Sequence, residues 1–181
     1  MRTGIIASLL IAGSVTAHTI RDVDFLNFTY TPSCRSDGTA VRVHNGVFYG
    51  HTNGGSDAYD FLDLVVDRVV YGHLTHDSEE QAVVVTRCNT GGTGDWCEAL
   101  VYDMRQGRPA LVTTLPGGDR ADGGIASVLI KNGLLQVGYY GTSGGMCCPE
   151  WIDTATYRLV DRRLVEVGRR VRKALEGERG R

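Results

Sequence analysis

Hydrophobic and polar residues alternate along this chain in short runs separated by turn residues, the period of strands rather than helices. The organising stretch is Val69 to Gly94, VVYGHLTHDSEEQAVVVTRCNTGGTG, which reads as strand, acidic turn, strand and glycine-rich loop. Within it, Glu80 to Arg87 holds Ala82 to Val85 without a polar break, so this strand is expected at the centre of a sheet, buried on both faces. Phe61 to Tyr71 places Leu62, Leu64, Val66 and Val70 at period-two spacing. A short helix over Ala58 to Leu64, capped by Ser56, is the competing reading of its start. Phe25 to Tyr30 alternates as a half-buried strand does.

Turn chemistry joins these runs. Asn45-Gly46 stands between TAVRVH and VFYGH, and Asn132-Gly133 between Ile125–Lys131 and Leu134–Tyr140. Asn-Gly between β-rich runs favours a type I′ hairpin, because both central residues must accept positive φ. Glu98–Met104 and Pro109–Leu115 flank Arg105-Gln106-Gly107-Arg108 as a further hairpin, and Thr156–Val160 pairs with Leu164–Val167 across Asp161-Arg162-Arg163. Pro116 to Gly124 and GTSGGMCCPEW read as loops. The fold expected is therefore mainly β: an antiparallel meander, built as one curved sheet or a small sandwich, in a single domain. Arg169 to Glu178 has helical composition with little apolar face, which predicts at most a short C-terminal helix.

Composition divides the chain further. Residues 1–17, MRTGIIASLLIAGSVTA, combine Arg2, an apolar run over Ile5–Ala12 and small residues at Val15-Thr16-Ala17, the pattern of a secretory signal peptide. The β-rich domain then covers 18–167, and a basic tail 168–181. No cysteine stands at the cleavage point, and no later apolar run reaches the roughly 20 residues that span a bilayer. The expected location is secreted or periplasmic, with an envelope or extracellular protein or glycan as partner. A formal net charge of -2 argues against nucleic acid as an obligate partner. The basic end could instead touch an anionic envelope surface.

Five cysteines in an exported chain, Cys34, Cys88, Cys97, Cys147 and Cys148, suggest disulfides with one thiol left over. Cys88 and Cys97 would face each other if the strands around NTGGTGDW pair, leaving Cys34 for Cys147 or Cys148. A vicinal Cys147–Cys148 bond ranks last because it needs a strained link. Zinc is disfavoured, since there is no C-x-x-C pair and the histidines are scattered.

Candidate chemistry is sparse. In the turn after Gly72, His73, Thr75, Asp77 and Glu79 stand at alternate positions, the spacing at which oxygen ligands gather around calcium, but two of the four are poor ligands and the turn lacks the usual glycine. A solvated turn with no cofactor is the expectation. Asn89 to Gly94 has the glycine content of a phosphate loop but leads into a strand, not a helix. Gly141, Ser143 and Gly145 stand at the spacing of a nucleophile elbow without its α/β setting. His44, His51, His73, His76, Asp77 and Ser143 are the pool from which a hydrolase site would have to assemble in three dimensions. Trp96, Tyr139, Tyr140 and Trp151 lie at or beside loops, where aromatic rings serve binding. A loop over Asn89 to Trp96, pinned at both ends, would suit an inhibitor of an extracellular enzyme.

Four segments, DFLNFTYTPSC, VVYGHLTHDSEEQAVVV followed by CNTGGTG, GGDRADGGIASVLIKNG and GGMCCPEWIDTATYRL, together resemble a family of small exported bacterial proteins similar in pattern to the LppP/LprE-type lipoproteins. The resemblance runs from about Asp24 to Val167. Its most specific parts are Cys147-Cys148-Pro149 and the Y-G-x-L-x-x-D-x-x-E-x-A-V-V run from Tyr71. Where that family commonly carries a YGDLTGDG-type acidic turn, this chain has His73 and His76, and it lacks the lipid-attachment cysteine. The resemblance implies an exported β-rich protein and no activity. A non-catalytic binding or structural module is the leading expectation, and a secreted hydrolase the alternative.

Overall fold

Strand β5, Gln81–Asn89, is the centre of the molecule, and its residues divide between two cores by parity. Ala82, Val84 and Cys88 enter one core while Val83 and Val85 enter the other, all of them buried. A strand with apolar residues at consecutive positions can satisfy both faces only as the middle layer, and that is the position β5 takes. The computed structural model describes residues 19–35, 37–51, 61–75, 77, 79–91, 94–119, 123–144 and 148–175. The expected signal peptide over 1–17, Ser56 and Ala58, His76, Cys147 and the last residues from 176 lie outside the described residues.

The first sheet is an antiparallel meander in the order β3 (Val47–His51), β4 (Phe61–Gly72), β5, β6 (Trp96–Arg105), β7 (Arg108–Gly118). The second continues the meander with β8 (Ile125–Lys131), β9 (Leu134–Gly141), β10 (Trp151–Val160) and β11 (Arg163–Glu166), while β12 (Val171–Ala174) also pairs with β10. On the other face of the first sheet lie two single-turn 3-10 helices, Ile20–Asp22 and Phe25–Asn27, and a small pair of strands, β1 (Thr29–Tyr30) and β2 (Val41–Arg42). The arrangement is a sandwich with an N-terminal cap.

Ile20, Phe25, Tyr30, Val43, Leu64 and Tyr102 fill the core under the cap, and the Tyr30 hydroxyl donates to the Phe25 carbonyl at 2.6 Å. Phe25–Asn27, expected as strand, is helical because Asp24 caps it: its carboxylate accepts from the Leu26 amide at 3.1 Å and from the Asn27 side chain at 2.8 Å. Ile125, Val128, Leu135, Val137 and Ala155 close the second sheet onto Val83, Val85, Ala99 and Val101.

The Asn-Gly turns form with both residues at positive φ: 52° and 81° at Asn45-Gly46, 52° and 73° at Asn132-Gly133. The arms of the first, however, part company. A bridge from His44 to Val47 closes the turn, and then Val41–Arg42 pairs with β1 while β3 pairs with β4. In β4 a register shift between Val66 and Arg68 moves Val70 off the face that carries Leu62, Leu64 and Val66; Val69 and Tyr71 take its place. The helix weighed at the start of β4 is not formed from Phe61 onward, which is strand. β7 runs on through Pro116-Gly117-Gly118, expected as loop, because a Cβ at Gly117 would stand 2.7 Å from Ile125 and 2.9 Å from the Cys97 carbonyl. Only glycine lets the two sheets approach there.

The C-terminal stretch expected as helix is the strand β12. Val171 to Ala174 are exposed on every side, so the run has no apolar stripe to betray its period. It is held by backbone pairing to Trp151–Thr154. β11 and β12 thus cover successive halves of β10, with Gly168 at φ 76° in the break between them.

Candidate functional site

The break between β11 and β12 brings two arginines over the far end of the inter-sheet space. Beyond the closed core, the two sheets diverge around a cleft of about 460 Å³ lined by Leu115 to Gly118 of β7, Tyr139 and Tyr140 of β9, Asp153 and Tyr157 of β10, and Arg170. Strand parity selects three of these side chains: Asp153 and Tyr157 lie on the same face of β10 as the buried Ala155, and Tyr139 on the same face of β9 as Leu135 and Val137.

The charged groups at this mouth are paired. Arg172, cross-strand from Asp153, donates to it through two nitrogens at 2.8 and 2.7 Å, and its guanidinium lies 4.2 Å from the centre of the Trp151 ring. The Trp151 indole N–H donates to the same carboxylate at 3.0 Å. Arg170 donates twice to Glu166, at 2.8 and 2.9 Å, and stands 5.7 Å over Tyr139. The Tyr139 and Tyr157 hydroxyls lie 3.0 Å apart. The Arg172 hydrogen bonds hold Asp153 below the usual carboxylate range, and those of Arg170 do the same for Glu166. Burial pushes the Tyr139 phenol well above its ordinary value, so it is a neutral hydrogen-bonding group at physiological pH. The site sets aromatic faces beside fixed, ionised Arg–carboxylate pairs.

Tyr140 also borders a second cleft, of about 450 Å³, with Asp67, Arg68, Arg87, Asp95 and Asp119 around it and Cys97 beneath. Arg87 pairs with Asp67 at 3.2 Å and lies 3.6 Å from Asp95. Gly123, at φ 82°, lets the chain pass Tyr140, where a Cβ would meet the tyrosine Cβ at 2.7 Å.

The structure gathers three of the four aromatic candidates, Tyr139, Tyr140 and Trp151, at or beside the first cleft. Trp96 is 47% exposed at the start of β6 and lines neither cleft. What sequence reasoning missed is the set of partners, Asp153, Tyr157, Glu166, Arg170 and Arg172. Their only sequence signal is an arginine-rich run whose alternate members match a carboxylate on a strand some twenty residues earlier.

The cysteines pair otherwise than expected. Cys34 and Cys88 form a disulfide, with Cα atoms 6.4 Å apart, tying the cap to the central strand. Cys97 sits opposite Arg87, one residue away from the Cys88–Trp96 pair. Adjacent register positions point to opposite faces, so Cys88 enters the cap core and Cys97 the inter-sheet core, where it is a buried free thiol. Burial raises the pKa of that thiol. The Asn89–Trp96 loop is consequently not pinned by a Cys88–Cys97 bond, and Cys34 is not available to Cys147 or Cys148. Cys148 is exposed.

The acidic turn is organised by Gln81, which is buried. Its side-chain oxygen accepts from the Leu74 amide at 2.7 Å, and its nitrogen donates to Thr75 at 3.1 Å and to the Glu79 carbonyl at 3.0 Å. The Thr75 hydroxyl donates to Asp77, while His73 and Glu79 are exposed. Among the described residues no three His, Cys, Asp or Glu side chains gather as a metal-holding group. The hydrolase pool does not assemble among the described residues either. The Ser143 hydroxyl donates to Glu150 at 2.7 Å, His44 lies in the bridge to Val47, and Asp77 serves Thr75; His76 and the side chain of His51 lie outside the description. No described helix is long and apolar enough to cross a membrane. Compared with protein-family models, with curated proteins and with solved structures, the chain matches none.

Proposed function

We propose that this chain is a disulfide-stabilised, non-catalytic binding module of the bacterial envelope or exterior, and that it takes a glycan in the cleft between Tyr139, Tyr140, Tyr157 and Arg170. The observation that carries the reading is the convergence, at one mouth, of tyrosine rings with two ionised Arg–carboxylate pairs. Rings offer faces to the C–H surfaces of a sugar, and bidentate charged pairs offer fixed donors and acceptors to its hydroxyls. A volume of about 460 Å³ falls in the range of small-molecule sites, large enough for a short oligosaccharide. The apolar leader over 1–17, the Cys34–Cys88 bond and the resemblance to exported bacterial proteins support the location.

The test is amide chemical-shift titration of the full chain with soluble chito-oligosaccharides and manno-oligosaccharides. Saturable shifts at Tyr139, Tyr140 and Asp153, lost in Tyr140→Ala, are the expected result. Absence of any saturable shift would remove the glycan reading. Hydrolysis of the added sugars, abolished by one point substitution, would make the protein an enzyme.

A further inference from the structure

The outward face of the second sheet sorts its charges by sign. Its strands β8 to β12 contain two carboxylates, Asp153 and Glu166, and both stand on the inward face: Asp153 in line with buried Ala155 and Tyr157, Glu166 opposite Tyr157. The alternate, outward positions carry Lys131, Arg158, Arg163 and Lys173, all exposed. None of the four enters an ion pair among the described residues, whereas Arg170 and Arg172 on the inward side are both paired. Between the cations stand exposed aliphatic side chains. Leu129 is 50% exposed, Val160 44%, Val165 49% and Val171 65%, four of the eight large apolar residues exposed on the described surface. Register interleaves the two kinds: Val165 lies beside Arg158, Arg163 beside Val160, and Val171 two residues from Lys173 on the same strand and face.

We propose that this face docks the protein on an anionic phospholipid bilayer. A face whose strands carry four free cations, no outward carboxylate and aliphatic side chains among the cations is complementary to a surface that is negative at its headgroups and apolar just beneath. The spread of the charges selects a surface over a point ligand. Lys173 pairs near the start of β10, at Ile152, and Arg163 at its end, at Val160; at the rise of a strand these positions are roughly 27 Å apart. That exceeds the screening length of about 8 Å at physiological ionic strength, so the two ends act as separate contacts that one small anion cannot satisfy together.

The experiment is co-sedimentation of the full chain with vesicles of phosphatidylcholine alone and of an equal mixture of phosphatidylcholine and phosphatidylglycerol, over a salt series. All variants carry the same residues 1–17, so differences between them report on the face. The expected result is binding to the anionic vesicles only, weakening with salt and about fivefold for each cation removed. Arg158→Glu with Lys173→Glu abolishes it, Val165→Ser with Val171→Ser weakens it, and the same charge change away from this face, Arg42→Glu in β2 with Arg108→Glu at the start of β7, leaves it intact. All six residues are exposed, and a thermal melt of each variant checks the fold, with Lys173→Glu alone as the milder replacement. Equal binding to both vesicle types, or wild-type binding by Arg158→Glu with Lys173→Glu, would overturn the proposal. So would full competition by soluble polyaspartate with no effect of the valine pair, which would make the partner an acidic polymer.

Discussion

Gly141→Ala gives the most direct test of how the cleft is built. Gly141 pairs with Trp151 across β9 and β10, and a Cβ there would stand 2.1 Å from the indole nitrogen and 2.7 and 2.8 Å from two further ring atoms. Its φ lies outside the left-handed region, so alanine meets no backbone strain, and Gly→Ala at such a position ordinarily stabilises by roughly 0.4–1 kcal/mol. Here the sign reverses, because the ring must leave. Departure breaks the indole hydrogen bond to Asp153, about 1 kcal/mol at a half-exposed site, and the stack under Arg172, about 0.5–1 kcal/mol. Re-exposure of part of the ring adds about 1 kcal/mol. The net expectation is a loss of about 2 kcal/mol, seen as a melting temperature lower by roughly 4–8 °C. In a Trp96→Phe background Trp151 is the remaining tryptophan, and its emission should shift to the red. An unchanged spectrum with equal or higher stability would refute the packing described for Trp151 and with it the architecture of the cleft.

Three further outcomes follow from the same geometry. Replacing Cys34 and Cys88 together by serine opens a loop of 54 residues; the chain-entropy relation puts the loss at about 4 kcal/mol, measurable by urea unfolding, and a change under 1 kcal/mol would show that the bond does not constrain the unfolded chain. Asp153 and Glu166 are held low by Arg172 and Arg170, so their pairs contribute fully above the ordinary carboxylate pKa and are lost as pH falls below about 4 through the depressed values. The two pairs are solvent-accessible, so the loss is about 1 kcal/mol in all, and Asp153→Asn with Glu166→Gln should flatten that part of the acid limb. Cys97, buried and raised in pKa, should resist alkylation in the folded protein and react after denaturation, which peptide mapping reads directly; rapid labelling in the native state would contradict its place in the inter-sheet core.

How much of this was written in the sequence depended on how local each cause is. Positive φ at Asn45-Gly46 and Asn132-Gly133 is a demand of two adjacent residues, and both turns formed as read. The centrality of β5 followed from its unbroken apolar run. The disulfide did not follow, because a single residue of register decides whether Cys97 shares a face with Cys88, and register is set by the whole pairing of β5 with β6. The course of β4 was misread beyond Val66 for a related reason: a bulge changes parity without leaving a mark in composition. The cleft was half legible. Its rings, Tyr139, Tyr140 and Trp151, stood out, but Arg170 and Arg172 reach them only because β12 pairs at an exposed edge. An edge strand exposed on both sides gives periodicity nothing to detect.

The way β11 and β12 pair with β10 also bears on self-association. An unbroken outer strand would present a continuous ladder of amides and carbonyls to any second copy. Here the edge is laid down as two four-residue pieces, Arg163–Glu166 and Val171–Ala174, separated by a kink at Gly168 and studded with arginine and lysine. Neither piece is long enough to template another strand, and like charges would meet across any attempted pairing. The same interruption that places Arg170 over Tyr139 therefore protects this edge of the sheet against pairing with a second copy.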